Sequence, residues 1–206
     1  MTIVNNITNQ SKTRIIACGM IAREVLAINA QLGDVIDLQC LPAEYHFSPQ
    51  KIAPALDLAI TQAKAEGFKN IFIGYADCGS TGAIDKICDH HQVSRVDGPH
   101  CFAFYMGNVN FKEQDGDFVT TFFITDFLAR NFETFLIKPL GLDKHPELKE
   151  VYFGNYTRAL YLAQSNDLEL EKQAKLGAAF LGLDYQKQYT GFGDLAPALK
   201  QATASK

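Results

Sequence analysis

The stretch Asn70–His91, N-I-F-I-G-Y-A-D-C-G-S-T-G-A-I-D-K-I-C-D-H-H, decides how the chain is read. Ile71, Phe72, Ile73 and Tyr75 form a short, nearly continuous apolar run, the pattern of a strand buried on both faces. Asp77-Cys78-Gly79-Ser80-Thr81-Gly82 breaks the run with small residues suited to a tight turn. From Ala83 the apolar positions fall at Ile84, Ile87 and Cys88, which is helical spacing. The unit is strand, glycine-containing turn, helix, with a thiol and a carboxylate in the turn. Turns at the carboxyl ends of parallel strands are where open α/β sheets keep their sites.

The same alternation extends in both directions. Arg14–Gly19 reads as a first strand ending in Cys-Gly, followed by a helix with Ile21, Val25, Leu26 and Ile28 on one face and Gly33 at its end. Val35–Cys40 is a second strand, running into a loop that holds Pro42 and His46. Ser48-Pro49 opens a helix, with Ser as cap and Pro at the first position, and Gly67 closes it. Downstream come a short strand at Ser94–Val96 ending in Asp97-Gly98-Pro99-His100-Cys101, an aromatic helical segment and a polar connection at 108–116. A strand at Phe118–Thr125, a helix from Asp126, a strand at Arg158–Ala163, an Ala-rich helix at Leu168–Leu181 and a strand at Tyr185–Tyr189 follow. This order predicts an α/β fold, a mostly parallel, doubly wound (Rossmann-like) sheet flanked by helices. It places one domain over 13–200, with a break near 107–117 where two lobes would divide, a loose lead-in at 1–12 and a loose tail at 201–206.

Composition narrows the function classes. With 206 residues, 47% of them hydrophobic, the chain is long enough to bury a core. A net charge of −4 without a dense Lys/Arg run speaks against nucleic acid or an anionic membrane as partner. No apolar run reaches the roughly 18 residues that a membrane span needs. The polar start, Met1–Lys12, lacks the basic and apolar regions of a signal peptide, so a cytoplasmic location is expected. Thiols stay reduced there, which makes the five cysteines core fillers, metal ligands or reactive thiols before disulfides.

Four of those cysteines, Cys18, Cys40, Cys78 and Cys101, stand at predicted strand ends, and only Cys88 lies within a helix. Any one of them has a plain reading as a small apolar filler. Four at strand ends are harder to read so, because a filler belongs in the sheet interior. His46, Asp77 and His100 lie in the same loops. One functional reading is a zinc ion or an iron–sulfur cluster held by Cys18, Cys40, Cys78, Cys101 and His100; no C-x-x-C pair exists, so the ligands converge through the fold. A second is metal-free thiol chemistry, with Cys78 activated at a helix N-terminus and His46 or His100 as proton partner. A third is an anion cradle at Gly79-Ser80-Thr81, which lacks both the G-x-G-x-x-G pattern and the Walker lysine. Asp126 and Arg130 form an ordinary i,i+4 pair or present a carboxylate to the crevice. His90-His91 read as a solvated helix end and His145 as a loop residue. The reading adopted is a metal site in a small-molecule crevice, with Asp77, His46 or Asp126 handling protons.

The chain also resembles a bacterial and archaeal family catalogued as domain of unknown function 1638. The resemblance rests on Ala17-Cys18-Gly19, Cys40-Leu41-Pro42 through His46, Tyr75-Ala76-Asp77-Cys78-Gly79 and Gly98-Pro99-His100-Cys101. It continues through Thr125-Asp126-Phe127-Leu128-Ala129-Arg130, His145-Pro146-Glu147-Leu148 and Tyr152-Phe153-Gly154-Asn155-Tyr156. Ala103 departs from the pattern, where the family often places Glu. The resemblance implies no established reaction. Its members are often encoded near corrinoid proteins and methyltransferases of methylamine or betaine demethylation, which implies a role in one-carbon metabolism by association. The expectation is an enzyme of that metabolism; the alternative is a non-catalytic accessory, or metal-delivery protein, that binds a corrinoid or methyltransferase partner.

Overall fold

The structure, a computed structural model, describes residues 12–204; residues 1–11 of the expected lead-in at 1–12, and residues 205–206 of the expected tail, lie outside the described residues. The described residues pack as two compact units, one formed by residues 12–104 together with 193–204, the other by Tyr105–Phe192. The fold is α/β with parallel sheets, as the alternation of strands and helices predicts, but the strands are shared between two sheets.

The first unit is built on strands β1 (Thr13–Cys18), β2 (Ile36–Leu41), β3 (Ile71–Gly74) and β4 (Ser94–Arg95). They lie in the order β2-β1-β3-β4, every pair parallel. Helices α1 (Ala22–Leu32), α2 (Ile52–Ala65) and α3 (Ala83–His91) connect them. Strand alternation sends Ile16, Leu41, Ile73 and Tyr75 to one face, where they pack with Ile52, Leu56 and Ile60 of α2 and Ile84 and Cys88 of α3. The other face is covered by α1 and the C-terminal helix Leu195–Ala204, which packs on α1 and β3. Burial of both faces explains why β1 reads as a continuous apolar run. Each fully buried Ile or Leu contributes about 1.5–3 kcal/mol.

Local signals act as expected in part. Gly33 and Gly67 take the left-handed conformation at the ends of α1 and α2, with φ of 82° and 89°. Ser48 precedes a 3-10 turn (Pro49–Lys51) that leads into α2, but its side chain makes no cap hydrogen bond. The C-terminal helix runs to Ala204, through residues that lack an apolar stripe and read as tail.

The short helix α4 (Cys101–Met106) starts in the first unit and ends in the second. The second unit continues with helix α5 (Asn108–Glu113) and strand β5 (Thr121–Thr125). Helix α6 (Asp126–Arg130), a π-helical turn (Glu133–Ile137) and helix α7 (Leu148–Phe153) follow. Strand β6 (Arg158–Ala163), helix α8 (Leu168–Leu181) and strand β7 (Asp184–Tyr189) complete it, the strands pairing in parallel in the order β5-β6-β7. Its core joins Ile124, Ala159 and Tyr161 of the sheet to Leu128, Phe132, Leu170 and Ala174. Residues 108–116, a polar connection in the sequence, include α5 because one side chain anchors it: Phe111 stacks on Phe118 at 5.0 Å and meets Phe123 at 6.0 Å. A single anchor leaves no periodicity to read. Among the described residues no helix is long and apolar enough to cross a membrane.

The pairing of β1 with β3 is unusually close. A Cβ on Gly74 would lie 2.8 Å from the Ala17 Cβ and 3.2 Å from the Ala17 Cα, a contact that includes backbone and has little room to yield. Gly74→Ala is therefore expected to lower stability by about 1–3 kcal/mol in urea unfolding. Gly116→Ala, whose Cβ would meet open space at negative φ, serves as the control and should stay within about 0.5 kcal/mol of wild type.

Candidate functional site

In the first unit the chain steps from β1 sideways to β2, then returns to place β3 on the other side of β1. The carboxyl ends of β1 and β3 thus flank the topological switch point, where open α/β sheets bind ligands. A cavity of about 30 Å³ lies there, lined by Cys18, His46, Tyr75, Cys78, Cys101 and Phe104 among others. That volume holds one species of the size of water.

Each lining group is delivered by a separate local device. Cys18 is the last residue of β1, and Gly19 after it lets the β2 loop come near: a Cβ there would stand 3.0 Å from the Leu41 carbonyl and 3.2 Å from the Ala43 nitrogen. The 3-10 turn Ala43–Phe47 on that loop carries His46. After β3, Asp77–Ser80 forms a turn closed by the Ser80 N–H donating to the Asp77 carbonyl at 2.9 Å. Its central residues, Cys78 and Gly79, both have positive φ (49° and 76°), as a type I′ turn requires. The Asp77 and Cys78 N–H groups donate to the carbonyls of Gly98 (3.0 Å) and Pro99 (2.8 Å). These bonds tie the β3 turn to the loop that leads into Cys101.

The electrostatics follow from burial. Desolvation raises the Cys18 thiol pKa and pushes Cys78 up to about 12, the neighbouring Cys18 adding to the effect. Cys101 is raised well above the usual thiol range by desolvation and then by Cys78 and Cys18. Burial also outweighs any help that Cys78 draws from its place before α3, so the metal-free protein holds a protonated thiol there rather than the activated thiolate of the metal-free reading. Loss of hydration lowers the His46 pKa although part of the residue reaches solvent, so this imidazole is neutral near pH 7. Tyr75 is 2% exposed and its hydroxyl has no aligned hydrogen-bond partner. It nevertheless lies close enough to the Cys18 sulfur for the two groups to perturb each other. A buried hydroxyl of this kind calls for an acceptor or donor inside the cavity.

The candidate residues divide sharply. Cys18, Cys78, Cys101 and His46 line one cavity. Cys40 pairs with Ala17 on the edge strand β2, is exposed and stands outside the lining. His100 caps α4, its Nδ1 accepting the Ala103 N–H at 3.3 Å, and also stands outside the lining. Ala103 is fully buried, so a carboxylate there would be desolvated.

Gly79, Ser80 and Thr81 do not present a vacant anion cradle. The Thr81 and Gly82 N–H groups donate to the Asp77 carboxylate at 3.2 and 2.8 Å, and the Ser80 hydroxyl donates to it at 2.9 Å. The chain supplies its own anion. Burial works to raise the Asp77 pKa, but the Gly82, Ser80 and Thr81 donors and the Arg95 charge outweigh it and hold the carboxyl below the usual Asp range. Asp77 is therefore spent on the turn rather than presented for proton transfer. Asp126 belongs to the other sheet, 3% exposed at the end of β5. Its carboxylate accepts from the Tyr161 hydroxyl (2.7 Å), the Gln164 N–H (3.0 Å) and the Ser165 hydroxyl (2.5 Å), which ties β5 to the loop after β6.

Sequence reasoning took Tyr75 as a strand filler; a tyrosine ending an otherwise aliphatic strand was the available signal. It also left unread the trio Asp57, His90 and His91, whose ligating atoms lie within 4.8 Å of one another. Among the described residues no trio drawn from the cavity thiols and His46 has its ligating atoms all within that distance of one another.

Fold and site together define a doubly wound α/β protein with a thiol-lined cavity at its switch point. The family described as Protein of unknown function (DUF1638) matches residues 40–199, more than half of the chain, and the chain belongs to that family. The matched span takes in His46, Tyr75, Cys78 and Cys101 and begins after Cys18. Comparison with curated proteins found no match, and comparison with solved structures found none.

Position 78 puts a thiol where glycine is the favoured residue, since a left-handed conformation costs an L-residue about 1–2 kcal/mol. Cys78→Gly is expected to exceed Cys78→Ala in stability by about 1 kcal/mol, measured by chemical denaturation. Equal stabilities would mean that the turn does not hold position 78 at positive φ.

Proposed function

We propose that this chain holds a single metal ion of the zinc class in the switch-point cavity, with Cys18, Cys78 and Cys101 as thiolate ligands and His46 completing the set. The observation that carries the reading is the convergence of three thiols from the end of β1, the turn after β3 and the start of α4, with the His46 imidazole, on a space of about 30 Å³. Burial first, and then Cys18 acting on Cys78 and both acting on Cys101, raise the pKa values of these thiols; a cation would relieve that cost, because a metal takes up the thiolate form. The buried Tyr75 hydroxyl would bond to a ligand sulfur or to a water on the ion. A cluster of several iron and sulfide atoms exceeds the cavity, which favours the single ion over an iron–sulfur centre.

Bound there, such an ion supplies Lewis-acid activation of a small ligand or of a thiol. His46, at the solvent side, is then either the fourth ligand or the group that takes up a proton. The setting we propose is cytoplasmic one-carbon metabolism, which follows from the family resemblance. A second reading, a non-catalytic accessory that keeps or delivers metal for a corrinoid or methyltransferase partner, is favoured by the cavity volume. A void of about 30 Å³ is close to the size of the ion itself.

The test is cobalt(II) loading of the full chain under anaerobic conditions, read by the sulfur-to-cobalt charge-transfer absorption that only thiolate ligation gives. The band is expected in wild type and in Cys40→Ser, and lost in Cys18→Ser, Cys78→Ser and Cys101→Ser. A band that survives all three cavity substitutions, or is missing from wild type, overturns the assignment. Brown protein with acid-labile sulfide, as purified, overturns the single-ion form.

A further inference from the structure

We propose a second cation site in the first unit, formed by Asp57 of α2 with His90 and His91 at the end of α3, for a divalent ion that accepts imidazole and carboxylate together, as Zn²⁺ does. One ligating atom from each of the three residues lies within 4.8 Å of the other two. The His91 Nε2 is 2.6 Å from the Asp57 Oδ1, and the His90 and His91 rings stand 4.9 Å apart at 77°. The two helices pack side by side, so the trio is fixed by secondary structure rather than by a loop.

The surroundings suit an ion bound from one side. The His91 side chain is 10% exposed, Asp57 45%, and His90 is exposed. The protein therefore covers one flank of the site and leaves the other to water, which supplies the remaining coordination positions. α3 ends at His91, so the negative end of its dipole lies beside the trio, although the Cys88, Asp89 and His91 carbonyls are already paired. Lys64 donates to the His91 carbonyl at 2.8 Å and lies 3.5 Å from His91 Nδ1; an ammonium can only donate there, which puts the ring proton on Nε2 facing Asp57, so ligation through Nε2 requires Lys64 to move off Nδ1. The lysine charge opposes the cation, and the Asp57 carboxylate offsets it.

The competing reading of the same atoms is a plain hydrogen bond between α2 and α3, in which His91 Nε2–H donates to Asp57. The ion takes the place of that shared proton, so binding releases it and affinity rises with pH. The two readings separate at His90, which the hydrogen bond does not need and the ion does.

The experiment is calorimetric titration of the full-length Cys18→Ser/Cys78→Ser protein with zinc alone, so that the cavity site cannot contribute and the outcome is independent of the function proposed above. One equivalent is expected to bind, with affinity falling about tenfold or more in His90→Asn and in Asp57→Asn on that background. Undiminished affinity in both variants, or no binding in the parent, overturns the site. Should the double cysteine variant not fold, the wild-type chain gives the same answer through diethylpyrocarbonate modification. Zinc is expected to protect His90 and His91, and modification of both at an unchanged rate overturns the proposal.

Discussion

Everything at the switch point depends on how closely β1 and β3 approach. Ala17 lies opposite Gly74, and the missing Cβ at position 74 lets the two backbones pair without splaying. Cys18 and Tyr75 follow directly on those residues, so the close pairing is what sets the sulfur beside the hydroxyl. Gly19 repeats the device on the other side by admitting the loop that carries His46. Two glycines thus do for the cavity what bulky packing does for the core: they fix separations by what they leave out.

The turn after β3 is held together by a carboxylate that an annotation by motif would assign to chemistry. Asp77 gathers the donors of Ser80, Thr81 and Gly82, and so fills the place where a phosphate would sit in a nucleotide-binding turn. The cost of the turn falls on Cys78, a non-glycine residue at positive φ. Strain of this kind persists only where surrounding structure over-determines it, and here the Pro99 carbonyl and the Asp77 clamp do so. A thiol kept in such a position and desolvated to a pKa of about 12 is poorly suited to act as a free nucleophile and well suited to meet a cation.

How much of this the sequence disclosed can be followed residue by residue. The fold class was legible because buried parallel strands leave continuous apolar runs, and Ile71–Ile73 and Ile15–Ala17 are such runs. Beyond the break near 107–117, which strands share a sheet was not legible, since apolar runs carry no information about which strand pairs with which. That Cys18, Cys78 and Cys101 come to line one cavity was legible because parallel strands align their ends. Cys40 met the same criterion and is exposed outside the lining, because an edge strand exposes what a central one encloses, although it lies near enough to raise the Cys18 thiol pKa. His100 was indistinguishable from His46 in sequence, and only the cap it gives α4 separates them. Asp126 sits at a strand end too, but in the other sheet, where Tyr161 and Ser165 hold its carboxylate. Asp57 and His91 lie on different helices 34 positions apart, beyond the reach of any local spacing rule.

The central claim is that sulfur atoms from β1, the β3 turn and the start of α4 bind one ion together. X-ray absorption at the zinc edge tests it most directly, on the zinc-loaded Asp57→Asn/His90→Asn protein so that the surface trio does not contribute. The account predicts about three sulfur scatterers near 2.3 Å with one nitrogen or oxygen near 2.0–2.1 Å. A first shell of nitrogen and oxygen alone would contradict it.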